Sequence, residues 1–207
     1  MKNTEKFKFL TLLYCLLIIH CCAQAACLPL QSKLSIKKSK NMENKSFTAI
    51  IVVSQNPVEV YNAVKNFRAW WSEEIEGPTD QVNEEFFYHY KDIHLCKMKL
   101  VEAVPGKKLV YLVLENHFSF VSDKNEWIGT RLLFDISQEG DRTKVQFTHE
   151  GLVPSNECYH VCNDAWTGYI NDSLYQLITT GKGAPNPKDK DGFNAALAEK
   201  WRLKSGK

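Results

Sequence analysis

The 207 residues contain no glycine-rich phosphate loop, no GxSxG turn and no zinc-finger spacing, which removes the motif-level case for a P-loop nucleotidase, an α/β-hydrolase or a zinc module. An excess of one charge is missing too: 26 Lys and Arg face 24 Asp and Glu, a formal +2. With no basic patch, neither nucleic acid nor an anionic membrane surface is an expected partner. Internal repeats are absent. The longest apolar run, Phe9 to Cys22, is too short and too soon broken for a comfortable membrane span, so no stable insertion is expected.

That run is preceded by Lys2, Lys6 and Lys8 and followed by Ala23-Gln24-Ala25, a small-x-small pattern suited to signal cleavage. Residues 1–25 therefore read either as a signal peptide or as translation assigned too far upstream, and 26–45 as a linker. Export follows from the first reading, and a cytoplasmic protein starting at Met42 from the second. Four of the seven cysteines, Cys15, Cys21, Cys22 and Cys27, belong to this region. The remaining Cys96, Cys158 and Cys162 are odd in number and do not resemble a disulfide framework, which suits a reducing compartment.

From Ser46 the composition is that of one globular domain. Phe47 to Gln55 is a β-branched run of strand length. Pro57 suits a first helical turn capped from Ser54, Gln55 or Asn56, with Val58, Val60, Tyr61 and Val64 giving the helix an apolar side. FRAWWSEEIEGPTD reads as an irregular connection, in which Trp70 and Trp71 are costly to expose and Glu73, Glu74 and Glu76 form a solvated rim. Strands follow. Phe86, Tyr88 and Tyr90 alternate with Phe87 and His89, and His94, Cys96, Met98 and Leu100 share a side. After Pro105-Gly106 come Lys107 to Glu115, a short edge segment HFSFV, and a strand with Ile128, Leu132, Phe134 and Ile136 inward. RTKVQFTHEGL then turns Val145, Phe147 and His149 inward. Tight turns between these strands call for antiparallel pairing.

Glu157 to Gly181 has helical periodicity, with Cys158, Cys162, Ala165, Trp166, Tyr169, Ile170, Ser173, Leu174 and Leu177 on one side. Ser155 or Asn156 is its expected cap. His160 lies two residues from each cysteine and points elsewhere, so the three do not converge on a metal. No metal or cofactor is expected. The predicted fold is α+β: a curved antiparallel sheet wrapped around a long C-terminal helix, with an internal cavity.

The stretches FTAIIVVSQNPVEVYNAVKNFRAWWSEEIEG, YKDIH, FTHEGLVP, ECYHVCNDAW and YINDSLYQLITTGKG resemble the SRPBCC superfamily of START-like domains. They are most similar to its bacterial branch related to the C-terminal domain of the activator of heat-shock protein 90 ATPase. The resemblance covers 46–183 and implies the helix-grip fold. Residues 184–207 lie outside it as a tail with a short helix bearing Phe193, Leu197 and Trp201.

The superfamily holds ligand binders, cyclases and co-chaperones, so function rests on the cavity. The expected lining is Trp71, Tyr88, Tyr90, Phe134, Phe147, His149, Cys162, Trp166 and Tyr169: apolar bodies with sparse polar tips. His149 and Trp166 are expected to meet. The leading expectation is a non-catalytic domain that binds a small hydrophobic or amphipathic ligand. A chaperone-binding module is the alternative, and a cyclase or hydrolase using His149 as base is a third.

Overall fold

The computed structural model describes residues 45–188. The expected leader and linker, through Asn44, and the tail helix around Phe193, Leu197 and Trp201 lie outside the described residues.

Seven strands form one antiparallel sheet: β1 (Phe47–Val53), β2 (Ile75–Glu76), β3 (Glu85–Tyr90), β4 (His94–Val104), β5 (Lys108–Phe118), β6 (Arg131–Glu139) and β7 (Arg142–Glu150). Their order is β1-β7-β6-β5-β4-β3-β2, so only β1 is paired away from its sequence neighbours. Two register shifts, at Lys97/Met98 and Leu100/Glu102, interrupt the β4–β5 ladder and bend the longest strand pair. Alternation works as expected on the inner face, where Val145, Phe147 and His149 of β7 and His94, Cys96, Met98 and Leu100 of β4 are buried. β6 begins only at Arg131, and Ile128 is half exposed in the preceding turn.

Helix α1 (Pro57–Lys65) starts with a capping box. Asn56 Oδ1 accepts from the Val58 and Glu59 N–H groups, and Glu59 reaches back to the Asn56 N–H. The segment expected to be irregular instead contains a one-turn helix, α2 (Phe67–Trp70), and the short edge strand β2. The reason is burial: Phe67, Trp70 and Trp71 are all at 1% exposure or less and stack into the sheet, with the Trp70 indole N–H donating to Val64 O at 3.0 Å.

The C-terminal helix has three parts: α3 (Tyr159–Gly168), a π-helical segment (Tyr169–Leu174) and α4 (Tyr175–Thr180). Its buried residues are Cys158, Cys162, Trp166, Ile170, Leu174 and Ile178, a spacing of four, with Ser173 beside them. An α-helix turns once in 3.6 residues, so a strict four-residue stripe drifts round its surface. The wider π turn takes up that drift, which is why Ile178 is buried where straight α-helical periodicity selects Leu177.

The helix start also differs from expectation. Asn156 Oδ1 accepts from the Val153 N–H, within the preceding loop. The Glu157 and Cys158 N–H groups donate instead to the Glu126 carboxylate, at 2.5 and 2.8 Å, so a residue about thirty positions upstream supplies the anion at the positive helix end.

Beyond Gly181 the chain turns back as a strap. Asn186 N–H donates to Trp71 O, Glu73 N–H to Asn186 O, and Lys188 N–H to the Glu73 carboxylate. Residues 184–188 therefore belong to the folded domain, which does not stop at Gly183 as expected. Gly183 permits the close approach: a Cβ there would stand 2.3 Å from Ala69 O and 3.1 Å from Ser173 O.

Glu74 is not on a solvated rim. It is buried and pairs with buried His89 at 3.1 Å on the outer face of β3.

Candidate functional site

A pocket of about 260 Å³ opens between the β3–β4–β5 end of the sheet and the first turns of α3. Trp71, Tyr88, Tyr90, Cys162, Trp166 and Tyr169 line it, together with Ile93, His94, Phe118, Phe120, Trp127, Val161, Ala165 and Asn186. Ile93, Phe120 and Val161 are 37, 42 and 58% exposed and make an apolar mouth. Trp71 stacks on Tyr88 at 4.1 Å, and Trp166 lies between Trp71 and Trp127 at 5.2 and 5.9 Å.

Three residues expected in the lining lie elsewhere. Phe134 and Phe147 are fully buried, 4.9 Å apart, in the packed interior that Phe67, Trp70 and Tyr111 fill. The space beneath the helix is thus core, and the opening lies at one end of it. His149 sits behind Trp127 and Trp166 with no exposure.

The contacts of His149 determine its tautomer. The Trp166 indole N–H can only donate, and it does so to Nδ1 at 3.0 Å. The ring hydrogen is therefore on Nε2, which donates to Thr130 Oγ1 at 2.9 Å, and Thr130 donates onward to Trp127 O at 2.6 Å. Both nitrogens are occupied. Burial, aided by His94, lowers the His149 pKa from the ordinary 6.5 to about 3. His149 and Trp166 thus meet, and their contact joins β7 to the helix.

His94 is held in the same way. Asn116 Nδ2 donates to Lys124 O at 3.0 Å, which turns Asn116 Oδ1 toward His94 Nε2 at 2.9 Å. Nε2 therefore carries the ring hydrogen, and burial keeps the imidazole neutral, with a pKa lowered to about 3 against the opposing pull of Asn116.

The polar corner of the pocket is made by Tyr88, Tyr169 and Asn186. Asn186 Nδ2 donates to the Tyr169 hydroxyl at 2.7 Å, and the hydroxyls of Tyr88 and Tyr169 interact with one another. Burial is the main reason both phenols are raised in pKa, so each keeps its hydrogen at neutral pH. Cys162 contributes a small apolar wall. Its neighbour Cys158, buried behind it, is raised first by its hydrogen bond to Cys162, and no disulfide joins them. His160 is exposed and points away from both. Among the described residues no group of three or more His, Cys, Asp or Glu side chains could hold a metal ion, and no helix is long and apolar enough to cross a membrane.

Sequence reasoning missed Trp127, Phe118, Phe120 and Asn186. Trp127 carried a signal of the kind that singled out Trp70 and Trp71, a large indole in a turn-rich loop. Asn186 carried none, because the strap's position depends on contacts made far away in the chain.

No family model and no curated protein matches this chain. Solved structures do. The Aha1 dimer from Colwellia psychrerythraea superposes with a TM-score of 0.54 at 20% identity, covering 67% of this chain and 99% of that one. The chain has an Aha1-like fold. A protein from Nitrosospira multiformis gives a TM-score of 0.51 at 15% identity over 66% of this chain and 98% of that one. DynU16, from the dynemicin biosynthetic locus, gives 0.50 at 13% identity over 66% of this chain and 48% of that one. At these identities the likeness is one of fold alone, an Aha1-like antiparallel sheet with its C-terminal helix.

Proposed function

We propose that this domain is a non-catalytic binder that encloses a small hydrophobic or amphipathic molecule in the pocket between the sheet end and the C-terminal helix. The observation that carries the reading is the lining itself. Three indoles, three phenols and two phenyl rings surround one polar corner, and no Lys, Arg, Asp or Glu is among them. Removing apolar ligand surface from water at roughly 25 cal/mol per Å² supplies the affinity, and Tyr88, Tyr169 and Asn186 orient the polar end. A catalytic role for His149 is disfavoured, since both its nitrogens are engaged and its side chain is closed off from the pocket. The test is mass spectrometry of gently purified full-length protein together with a thermal-shift panel of apolar probes. A bound small molecule or a reproducible shift is expected. Repeated absence of both would overturn the reading.

A second reading, a co-chaperone-like module acting through its outer surface, is favoured by the likeness to the Aha1 dimer. It is tested by adding the protein to a heat-shock protein 90 ATPase assay. On the container reading no stimulation occurs, and a saturable rate increase that survives pocket substitutions would establish the alternative.

A further inference from the structure

The pocket's polar corner holds a phenolic donor that no protein group takes up, and that donor bears on which ligand fits. Tyr88 and Tyr169 have two O–H hydrogens between them, and their mutual contact uses at most one. Asn186 adds a donor to Tyr169 and takes up none of theirs. At least one phenolic hydrogen is left unspent. Trp127 lines the same pocket with its ring, but its indole nitrogen is itself shut off from the open space, so the donor a ligand meets is a phenol. A donor left without a partner at a pocket wall is costly unless something accepts from it.

Formal charge is missing from the lining. His94, the one imidazole there, is neutral and has its Nε2 committed to Asn116. The Lys91 ammonium lies outside the lining, over the Tyr90 ring at 5.5 Å, and is exposed at the rim. Placing a carboxylate among these rings removes it from water with no counter-ion, a far larger cost than burying a hydrogen-bonded neutral oxygen. A cation gains from the ring faces but meets an unspent O–H donor. The size is limiting too, because about 260 Å³ lies just under the roughly 300–1,000 Å³ of drug-sized sites.

We infer that the pocket selects an uncharged one- or two-ring molecule bearing an acceptor oxygen, a ketone or ether rather than a fatty acid, with Tyr169 and Tyr88 as its specificity-determining donors. This rests on the proposed binding role of the same pocket.

Three probes of nearly equal shape test it on the full-length protein by calorimetric titration at neutral pH: 2-acetylnaphthalene, 2-naphthoate and 2-ethylnaphthalene. The ketone is expected to bind best, with the carboxylate weaker by about tenfold or more and the hydrocarbon several-fold weaker, since tenfold corresponds to about 1.4 kcal/mol. Tyr169→Phe and Tyr88→Phe, each checked for an unchanged melting profile, should reduce the preference for the ketone over the hydrocarbon several-fold. Asn186→Ala is a further variant for the case in which either of those fails to fold. Carboxylate binding equal to or tighter than that of the ketone overturns the selection of a neutral molecule. A ketone preference unchanged in all folded variants overturns the assignment of donors. Binding by none of the three probes overturns the pocket reading itself, and this inference with it.

Discussion

Acid should unfold this domain through two of its buried imidazoles. His94 and His149 have pKa values near 3 in the folded protein and near 6.5 in an unfolded chain. Above pH 6.5 both are neutral in both states and stability is independent of them. Between 6.5 and 3 the unfolded chain takes up protons that the folded one refuses, so stability falls as pH falls, and below 3 the loss levels off. The slope is about 1.36 kcal/mol per pH unit for each histidine. At pH 4.5, two units below the unfolded value, the pair has cost on the order of 5 kcal/mol, comparable with the whole stability of a small domain. Urea unfolding at a series of pH values measures this. His149→Gln should remove about one proton's worth of slope in that window while lowering stability at pH 7, because the Trp166 and Thr130 contacts are disturbed. It should leave the bound-ligand profile of the folded fraction unchanged. NMR of the ring protons should show His149 neutral down to about pH 4. A His149 titration near 6.5, or an unaltered slope in the variant, would refute the enclosed, neutral assignment.

Trp166→Ala removes an indole that touches Trp71, Trp127, Phe147 and His149, and should cost about 3–5 kcal/mol by chemical denaturation and weaken probe binding. Gly183→Ala puts a methyl group against Ala69 O and Ser173 O. It should cost about 1–3 kcal/mol and raise hydrogen exchange at the Asn186 amide as the strap lifts; an unchanged exchange rate would mean the strap is not held by that approach. Glu126→Ala strips the carboxylate from the start of α3 and should cost about 1 kcal/mol in thermal unfolding, more than the same change at Glu157.

Periodicity carried the strands and the helix, because alternation and the helical repeat are properties of neighbouring residues. The inward rows of β4 and β7 and the capped start of α1 were legible for that reason. Other features depend on partners far apart in the chain. Glu74 looks solvated in its acidic run, yet β3 brings His89 to it. Glu126 caps a helix it does not adjoin, and Trp127 closes a pocket from a loop with no repeat of its own. Phe134, Phe147 and His149 were correctly turned inward, but facing inward does not distinguish core from pocket. That distinction was made by how far Phe67, Trp70 and Trp71 reach across the sheet.

The π segment between Tyr169 and Leu174 has a consequence for chain length. Geometrically, a π turn is an α-helix carrying one additional residue. Deleting a single residue there would let the helix close into ordinary α turns with the residues beyond it kept on nearly the same faces, because five residues at about 100° each turn about as far as six in the wider π segment. A deletion in α3 has no such slack: it would swing everything beyond it by about 100°, taking Ser173, whose hydroxyl donates to Trp70 O and accepts from Ala184 N–H, out of its place. A one-residue deletion should therefore be tolerated better within Tyr169–Leu174 than within Tyr159–Gly168.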